Sequence, residues 1–189
     1  MCRLFLWHQE DNNKAVQKIM GEIHRKTPEK KINEVARPSQ EIVYLQVSKE
    51  GKTTASLGRW GFQIPQRKLI YNARQETVLS KRLFQGCFQK NRCIVPAHSF
   101  FEWDTDHRCF MFSPKEMPLL YFAALYRKQG DETEIVILTT HSRGEIEEVH
   151  HRMPLMLEEN ELRHWLYDSS VSRTLLSQGS FLLKKEMKI

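Results

Sequence analysis

Between residues 42 and 140 the chain carries seven short apolar or alternating runs, at 42–47, 56–63, 92–95, 100–103, 109–112, 119–126 and 135–140. Runs of this length, rich in β-branched and aromatic residues and bounded by turn formers, read as strands. One longer stretch has helical spacing instead. From Lys14 to His24 the residues Ala15, Val16, Ile19, Met20 and Ile23 fall on one face. Strands that outnumber helices without alternating with them argue against a doubly wound parallel sheet. The expected fold is α+β, a mostly antiparallel curved β-sheet or open barrel with flanking helices.

The remaining segments fill in that outline. Residues 2–7 read as a strand, and Thr27-Pro28-Glu29-Lys30-Lys31 opens a charged loop running to Gln40. Short helices are expected at 144–150 and 158–166, a strand at 154–157, and an edge strand from Phe181-Leu182-Leu183. No internal repeat or low-complexity linker interrupts the 189 residues, so a single domain, 1–189, is expected.

Charge and cysteine usage narrow the class. Lys and Arg number 29 against 23 Asp and Glu, a formal charge of +6. That balance suits a polyanionic partner, although many basic proteins bind no nucleic acid. No run approaches the roughly 18 apolar residues of a membrane span. The short apolar start, Met1 to Trp7, lacks a basic leader and a small-residue cleavage site. The expectation is a cytoplasmic, monomeric protein without a membrane anchor. Cys2, Cys87, Cys93 and Cys109 form no CxxC pair. Reduced thiols are therefore expected, with no metal site and no cofactor.

Cys2 is chemically distinctive because Met1 is removable when a small residue follows it. The product carries an α-amine and a thiol on one residue. An α-amine titrates at about 7.7–8, against about 10.4 for lysine, so roughly a tenth is unprotonated at pH 7. Such an amine attacks an aldehyde to give a Schiff base. The adjacent thiol can then close a five-membered thiazolidine, an intramolecular step favoured by high effective molarity. A cysteine at position 2 is, by itself, more often an incidental buried thiol.

Other segments give Cys2 a context. They are Arg59-Trp60-Gly61-Phe62-Gln63-Ile64-Pro65, Asn72-Ala73-Arg74-Gln75-Glu76-Thr77, the run from Arg92-Cys93-Ile94-Val95-Pro96 to Phe100-Phe101-Glu102-Trp103, and His150-His151-Arg152-Met153-Pro154. In this order, behind Cys2, they resemble the SOS-response-associated peptidase (SRAP) family, and the resemblance runs from Cys2 to about Trp165. It implies a sensor and shield of abasic sites in single-stranded DNA, joined to the opened sugar through Cys2 as a thiazolidine crosslink. Lyase-type and autopeptidase activities, and association with the nucleoid when DNA-bound, are part of the same implication.

Carried over by motif, Cys2 is the nucleophile, Asn72 contacts the reacting sugar, Glu102 is the acid/base group and His150 protonates the opening sugar oxygen. His151 is the rival for that last role, and Cys93 reads as core filler rather than a second nucleophile. For DNA contact the candidates are Arg3, Trp60, Arg74 and Arg152, with Thr140 lining the pocket. Arginine pairs phosphate through a planar fork, and an exposed aromatic can replace stacking lost beside a lesion. Trp60 reads equally well as a core residue.

The chain departs from the family's usual Met-Cys-Gly-Arg start with Met-Cys-Arg-Leu. On an extended strand, Arg3 would point away from the side that Cys2 faces. Two other functions fit the same residues. One is a thiol peptidase or amidohydrolase with an N-terminal Cys nucleophile, and the other a non-covalent single-strand binding module in which Cys2 is idle.

Overall fold

The computed structural model describes residues 2–65, 68–176 and 183–188. The chain opens with β1 (Phe5–Leu6), α1 (Lys14–Lys26), β2 (Val35–Ala36), β3 (Glu41–Val47) and β4 (Thr53–Trp60). Its middle holds β5 (Asn72–Arg74), α2 (Gln75–Val78), α3 (Arg82–Lys90), β6 (Arg92–Ala97) and β7 (Ser99–Trp103). Then come β8 (Cys109–Pro114), β9 (Leu120–Gln129) and β10 (Glu132–His141). The last elements are β11 (Arg152–Pro154), α4 (Leu162–Tyr167), α5 (Ser169–Leu175) and β12 (Leu183–Lys188).

The architecture is α+β. Strand β3 pairs antiparallel with β4 and β6, β6 with β9, and β9 with β10. A short parallel pairing of β10 with β4, Glu134 opposite Arg59, completes the ring. The barrel is therefore closed rather than open. Closure removes the two free edges that an open sheet would expose. A second sheet, in the order β12-β8-β7-β1-β2, is antiparallel throughout. No helix among the described residues is long and apolar enough to cross a membrane.

The barrel strands read as continuous apolar runs because both of their faces are covered. Alternate residues go to different cores, as the two-residue strand period requires. Val43, Ile94, Leu125 and Val136 pack with Val16, Ile19 and Ile23 of α1 and with Phe84 and Phe88 of α3. Ile42, Val95, Phe122 and Ile137 pack instead with Phe5, Phe100 and Phe112 of the smaller sheet. Helix α1 is set by the spacing of its buried residues and by Asn13, whose side chain accepts the Ala15 amide at 2.8 Å. Three basic residues, His24, Arg25 and Lys26, occupy its last turn, where the helix dipole favours them.

Several boundaries differ from the sequence reading. The first strand shrinks from 2–7 to Phe5–Leu6, because only these two residues pair on both sides. The strand expected at 154–157 begins earlier, as β11, and 144–150 yields only a 3-10 turn, Gly144–Ile146. Of the expected tail strand, Phe181 and Leu182 lie outside the described residues, while Leu183 opens β12. Gly61 follows Trp60 with φ at +128°, and a Cβ there would lie 2.6 Å from Leu69 Cγ. That backbone geometry favours glycine at the bend that ends β4.

Closure of the barrel is tied to one fully buried carboxylate. Glu134 accepts from Arg59 Nη2 at 2.5 Å, Arg127 Nε at 2.7 Å and the Gln63 amide at 3.0 Å. Removing one member of such a cluster leaves uncompensated charge. Glu134→Ala is therefore expected to lower the unfolding free energy by about 3 kcal/mol. Urea denaturation checks this, and an unchanged midpoint would mean that the cluster does not hold the ring shut.

Candidate active site

The amino-terminal segment is pinned at and just before the first strand. Leu4 carbonyl accepts the Phe101 amide at 3.0 Å, and Leu6 carbonyl accepts the His98 amide at 2.8 Å. Phe5 then pairs with Phe100 on one side and Ala36 on the other. Cys2 is carried into the core between barrel and small sheet, at 0% exposure. Asn72, at the start of β5, donates from Nδ2 to the Cys2 carbonyl at 2.8 Å. Its Oδ1 is buried and has no hydrogen-bond partner among the described residues. Burial pushes the Cys2 thiol far above its ordinary value, and the charge of Glu102 pushes it further. The resting thiol is therefore neutral.

Glu102 sits on β7 two residues after Phe100, so the two share a strand face, and the carboxyl continues a buried apolar row. It is only 2% exposed. Burial raises it to about 7, against the opposing positive charge of Arg3. A carboxyl held there exchanges a proton near neutrality, as acid–base chemistry needs.

His150 follows the 3-10 turn and is half-buried. Its Nδ1 lies 3.0 Å from both the amide nitrogen and the carbonyl oxygen of Arg152. The neutral ring can accept the amide proton there, and a ring protonated at Nδ1 can donate to the carbonyl. Either state keeps a backbone partner, so chemistry at this ring runs through Nε2. Burial holds His150 below the ordinary imidazole value. Its ring stacks on that of His151, with centroids 4.5 Å apart and planes 26° from parallel.

Glu102 and His150 line one open cleft of about 440 Å³, together with Arg3, Tyr71, Arg74, Trp103 and His151. Arg3 lies over the Trp103 ring at 4.7 Å. Residues 2–4 are not in a strand, yet Cys2 is buried in the core while Arg3 is exposed in the cleft, so the two side chains face different surroundings. Arg74 also borders a neighbouring groove of about 560 Å³, lined by Asn72, Lys81 and Arg82 among others. Cys2 lies behind the cleft wall rather than on it. No group of three or more His, Cys, Asp or Glu among the described residues is placed to hold a metal.

Three of the residues expected to touch DNA lie elsewhere. Trp60 is 0% exposed, donates Nε1 to the Tyr71 carbonyl at 2.8 Å and packs on Phe5 at 5.1 Å. It supports the cleft floor and offers no stacking face. Arg152 is 3% exposed. Its guanidinium forms a bidentate pair with Glu76, at 2.6 and 3.1 Å, and donates to the Thr139 carbonyl at 2.6 Å. A cation so paired is a structural tie between α2 and β10, because leaving a buried guanidinium unpaired is costly. Thr140 is buried in the β10–β11 pairing opposite Met153. The cleft gains Tyr71 and Trp103, which the sequence reading did not nominate for it, and it also holds His151, the rival of His150. Each adjoins a residue that was nominated, and adjacency was the available signal.

The pinned terminus, buried carboxyl and half-buried histidine beside a basic cleft define a class. A sequence profile of the SOS response associated peptidase (SRAP) family matches residues 1–188, and the chain belongs to that family. The abasic site processing protein YoaM of Bacillus subtilis is 31% identical over 150 residues, 71% of this chain and 66% of that protein. The abasic site processing protein YoqW of the same organism is 33% identical over 144 residues, 68% and 64% of the two chains. In Escherichia coli, the abasic site processing protein YedK is 30% identical over 105 residues, 51% and 47%. The chain thus spans about two thirds, or less, of the length of the curated relatives it matches. A crystal structure from Bordetella bronchiseptica shares the fold, with a TM-score of 0.81 at 18% identity and full coverage of both chains. Another from Bacteroides thetaiotaomicron has a TM-score of 0.78 at 18% identity, covering 98% of this chain and 91% of that one.

The raised Glu102 value has a stability consequence with a definite sign. Between the ordinary 4.5 and about 7, the folded chain keeps a proton that the unfolded chain releases. Glu102 therefore destabilises the fold progressively as pH rises through that window, and by a constant amount above it. Glu102→Gln is expected to match the parent near pH 4 and to exceed it by about 2 to 3 kcal/mol near pH 8. Denaturation at the two pH values checks this, and equal stability at both would contradict the raised value.

Proposed function

We propose that the chain captures the aldehyde of abasic sites in single-stranded DNA through the amine and thiol of Cys2 once Met1 has been removed. The observation that carries this reading is the arrangement around the second residue. Its carbonyl is held by Asn72, and its thiol lies under the charge of a carboxyl that titrates at about 7. The names of the bacterial relatives, abasic site processing proteins, point the same way.

The chemistry balances without a redox partner. An abasic deoxyribose rests mainly as a closed hemiacetal. Neutral His150, in the tautomer whose Nδ1–H donates to the Arg152 carbonyl, takes the anomeric hydroxyl proton on Nε2 and returns it to the ring oxygen as the carbon–oxygen bond breaks. The unprotonated Cys2 amine adds to the freed aldehyde carbon, and the carbonyl oxygen is protonated. Loss of that oxygen as water, assisted by the Glu102 proton, leaves an imine. The Cys2 sulfur then adds to the imine carbon, and its proton passes through Glu102 to nitrogen. Aldehyde and aminothiol thus become thiazolidine and one water.

A buried, neutral thiol fits this order of events. The amine makes the first bond, and only then is the carbon within one ring closure of sulfur. A thiol peptidase requires a thiolate at the start, and burial of Cys2 works against that. Asn72 contributes its Oδ1 as an acceptor for a sugar hydroxyl. Arg3 and Arg74 supply phosphate contacts along the cleft, and Trp103 and Tyr71 give it aromatic walls.

A denaturing gel tests the covalent step. The processed chain with single-stranded oligonucleotide bearing one abasic site is expected to give a heat- and detergent-resistant band. The band is expected to vanish in Cys2→Ala and to be lost or labile in Cys2→Ser, which keeps an amine but cannot close the thiazolidine. Equal trapping by Cys2→Ala, or a band on undamaged DNA, would refute the proposal. Arg74→Ala is expected to weaken non-covalent binding to the same oligonucleotide and to reduce its salt slope by about 1. An unchanged affinity at moderate salt would move the DNA path elsewhere.

A further inference from the structure

His151 has no role in the chemistry above, yet it is the ring in closest register with His150. It is exposed, whereas His150 is half-buried. A separation of 4.5 Å is at the short end for aromatic pairs, and a near-parallel stack is poor for two like charges. Two imidazolium rings in that arrangement would repel through a cleft that already contains Arg3 and Arg74.

We propose that His151 is a positioning residue for His150, its stacked ring holding the His150 plane and its charge opposing protonation of the inner ring. This rests on the proposed function, in which His150 must begin uncharged to accept the sugar hydroxyl proton. The groups that face His150 divide by sign. His151 and Arg152 each disfavour its charged form, beneath the larger effect of burial. Arg3 and Arg74 add positive charge on the cleft walls, and Glu102 is the acid there, held by burial near 7. Tyr71 and Trp103 complete the lining without charge at neutral pH. The Arg152 backbone serves the Nδ1 position whichever state His150 takes. The charge of the stacked neighbour is therefore a term that a surface substitution can change without disturbing the backbone bond.

The test uses the full chain and reads His150 directly. Ring carbon–proton resonances are titrated by NMR in the parent, in His151→Phe, which keeps a stacking ring without charge, and in His151→Asp, which reverses the charge. The His150 midpoint is expected to rise by about half a pH unit in His151→Phe and by about one unit in His151→Asp. Added salt is expected to compress both shifts. Abasic-site trapping rates measured against pH are expected to lose activity at correspondingly higher pH on the acid side. The same His150 midpoint in all three proteins would overturn the proposal. Shifted midpoints in a parent that traps no DNA would instead leave this coupling standing and sink the proposed function.

Discussion

The arrangement at the site depends on hydrogen bonds that hold the amino-terminal segment against β7. Two backbone bonds, from Phe101 to Leu4 and from His98 to Leu6, fix a segment that would otherwise fray. Once it is fixed, Phe5 enters the core between barrel and small sheet, and Cys2 follows it into the same apolar surroundings. Glu102 lies on the strand that does the holding. Cys2 and Glu102 are thus set relative to one another by a single strand pairing, β1 with β7. Asn72 approaches from β5, which is placed by its parallel pairing with β10.

Burial then does the electrostatic work. The same apolar packing raises the Cys2 thiol, lifts Glu102 to about 7 and depresses His150. Each shift favours the uncharged form, which is what desolvation does to any ionisable group. Glu102 is thereby brought to a value at which it exchanges a proton near neutrality, while the Cys2 thiol and the His150 ring are held toward their uncharged forms. The arginines divide into two kinds. Arg59, Arg127 and Arg152 are spent on the buried carboxylate Glu134 and on the exposed Glu76. Arg3 and Arg74 line the cleft.

Much of this was legible in the sequence, and what was not has identifiable causes. Helix α1 shows in its spacing and in Asn13, both local signals. Strands β6, β9 and β10 show as apolar runs because they are covered on both sides. Barrel closure was hidden, since the pairing of Glu134 with Arg59 joins residues 75 positions apart. Helix α3 was missed although Leu83, Phe84, Cys87 and Phe88 are helically spaced, because Gln85, Gly86 and Gln89 dilute the pattern. At the site, the ordered motifs picked out Cys2, Asn72, Glu102 and His150, and the fold brings them to one region. Arg152 misled, and Trp60 read equally as core or stacking face, because a cation or an aromatic looks the same in sequence whether it faces a ligand or a buried partner; Trp60 proves to be core. The partner of Arg152, Glu76, stood in the nominated Asn72–Thr77 segment, but their contact is non-local.

The central claim concerns which atoms of the second residue are consumed. Tandem mass spectrometry of the amino-terminal peptide, released from chain trapped on an abasic oligonucleotide, addresses it directly. The account predicts a peptide that begins at Cys2, carries the sugar remnant and resists thiol alkylation at that residue. A trapped peptide that still begins at Met1, or a remnant found on a lysine with Cys2 open to alkylation, would contradict it.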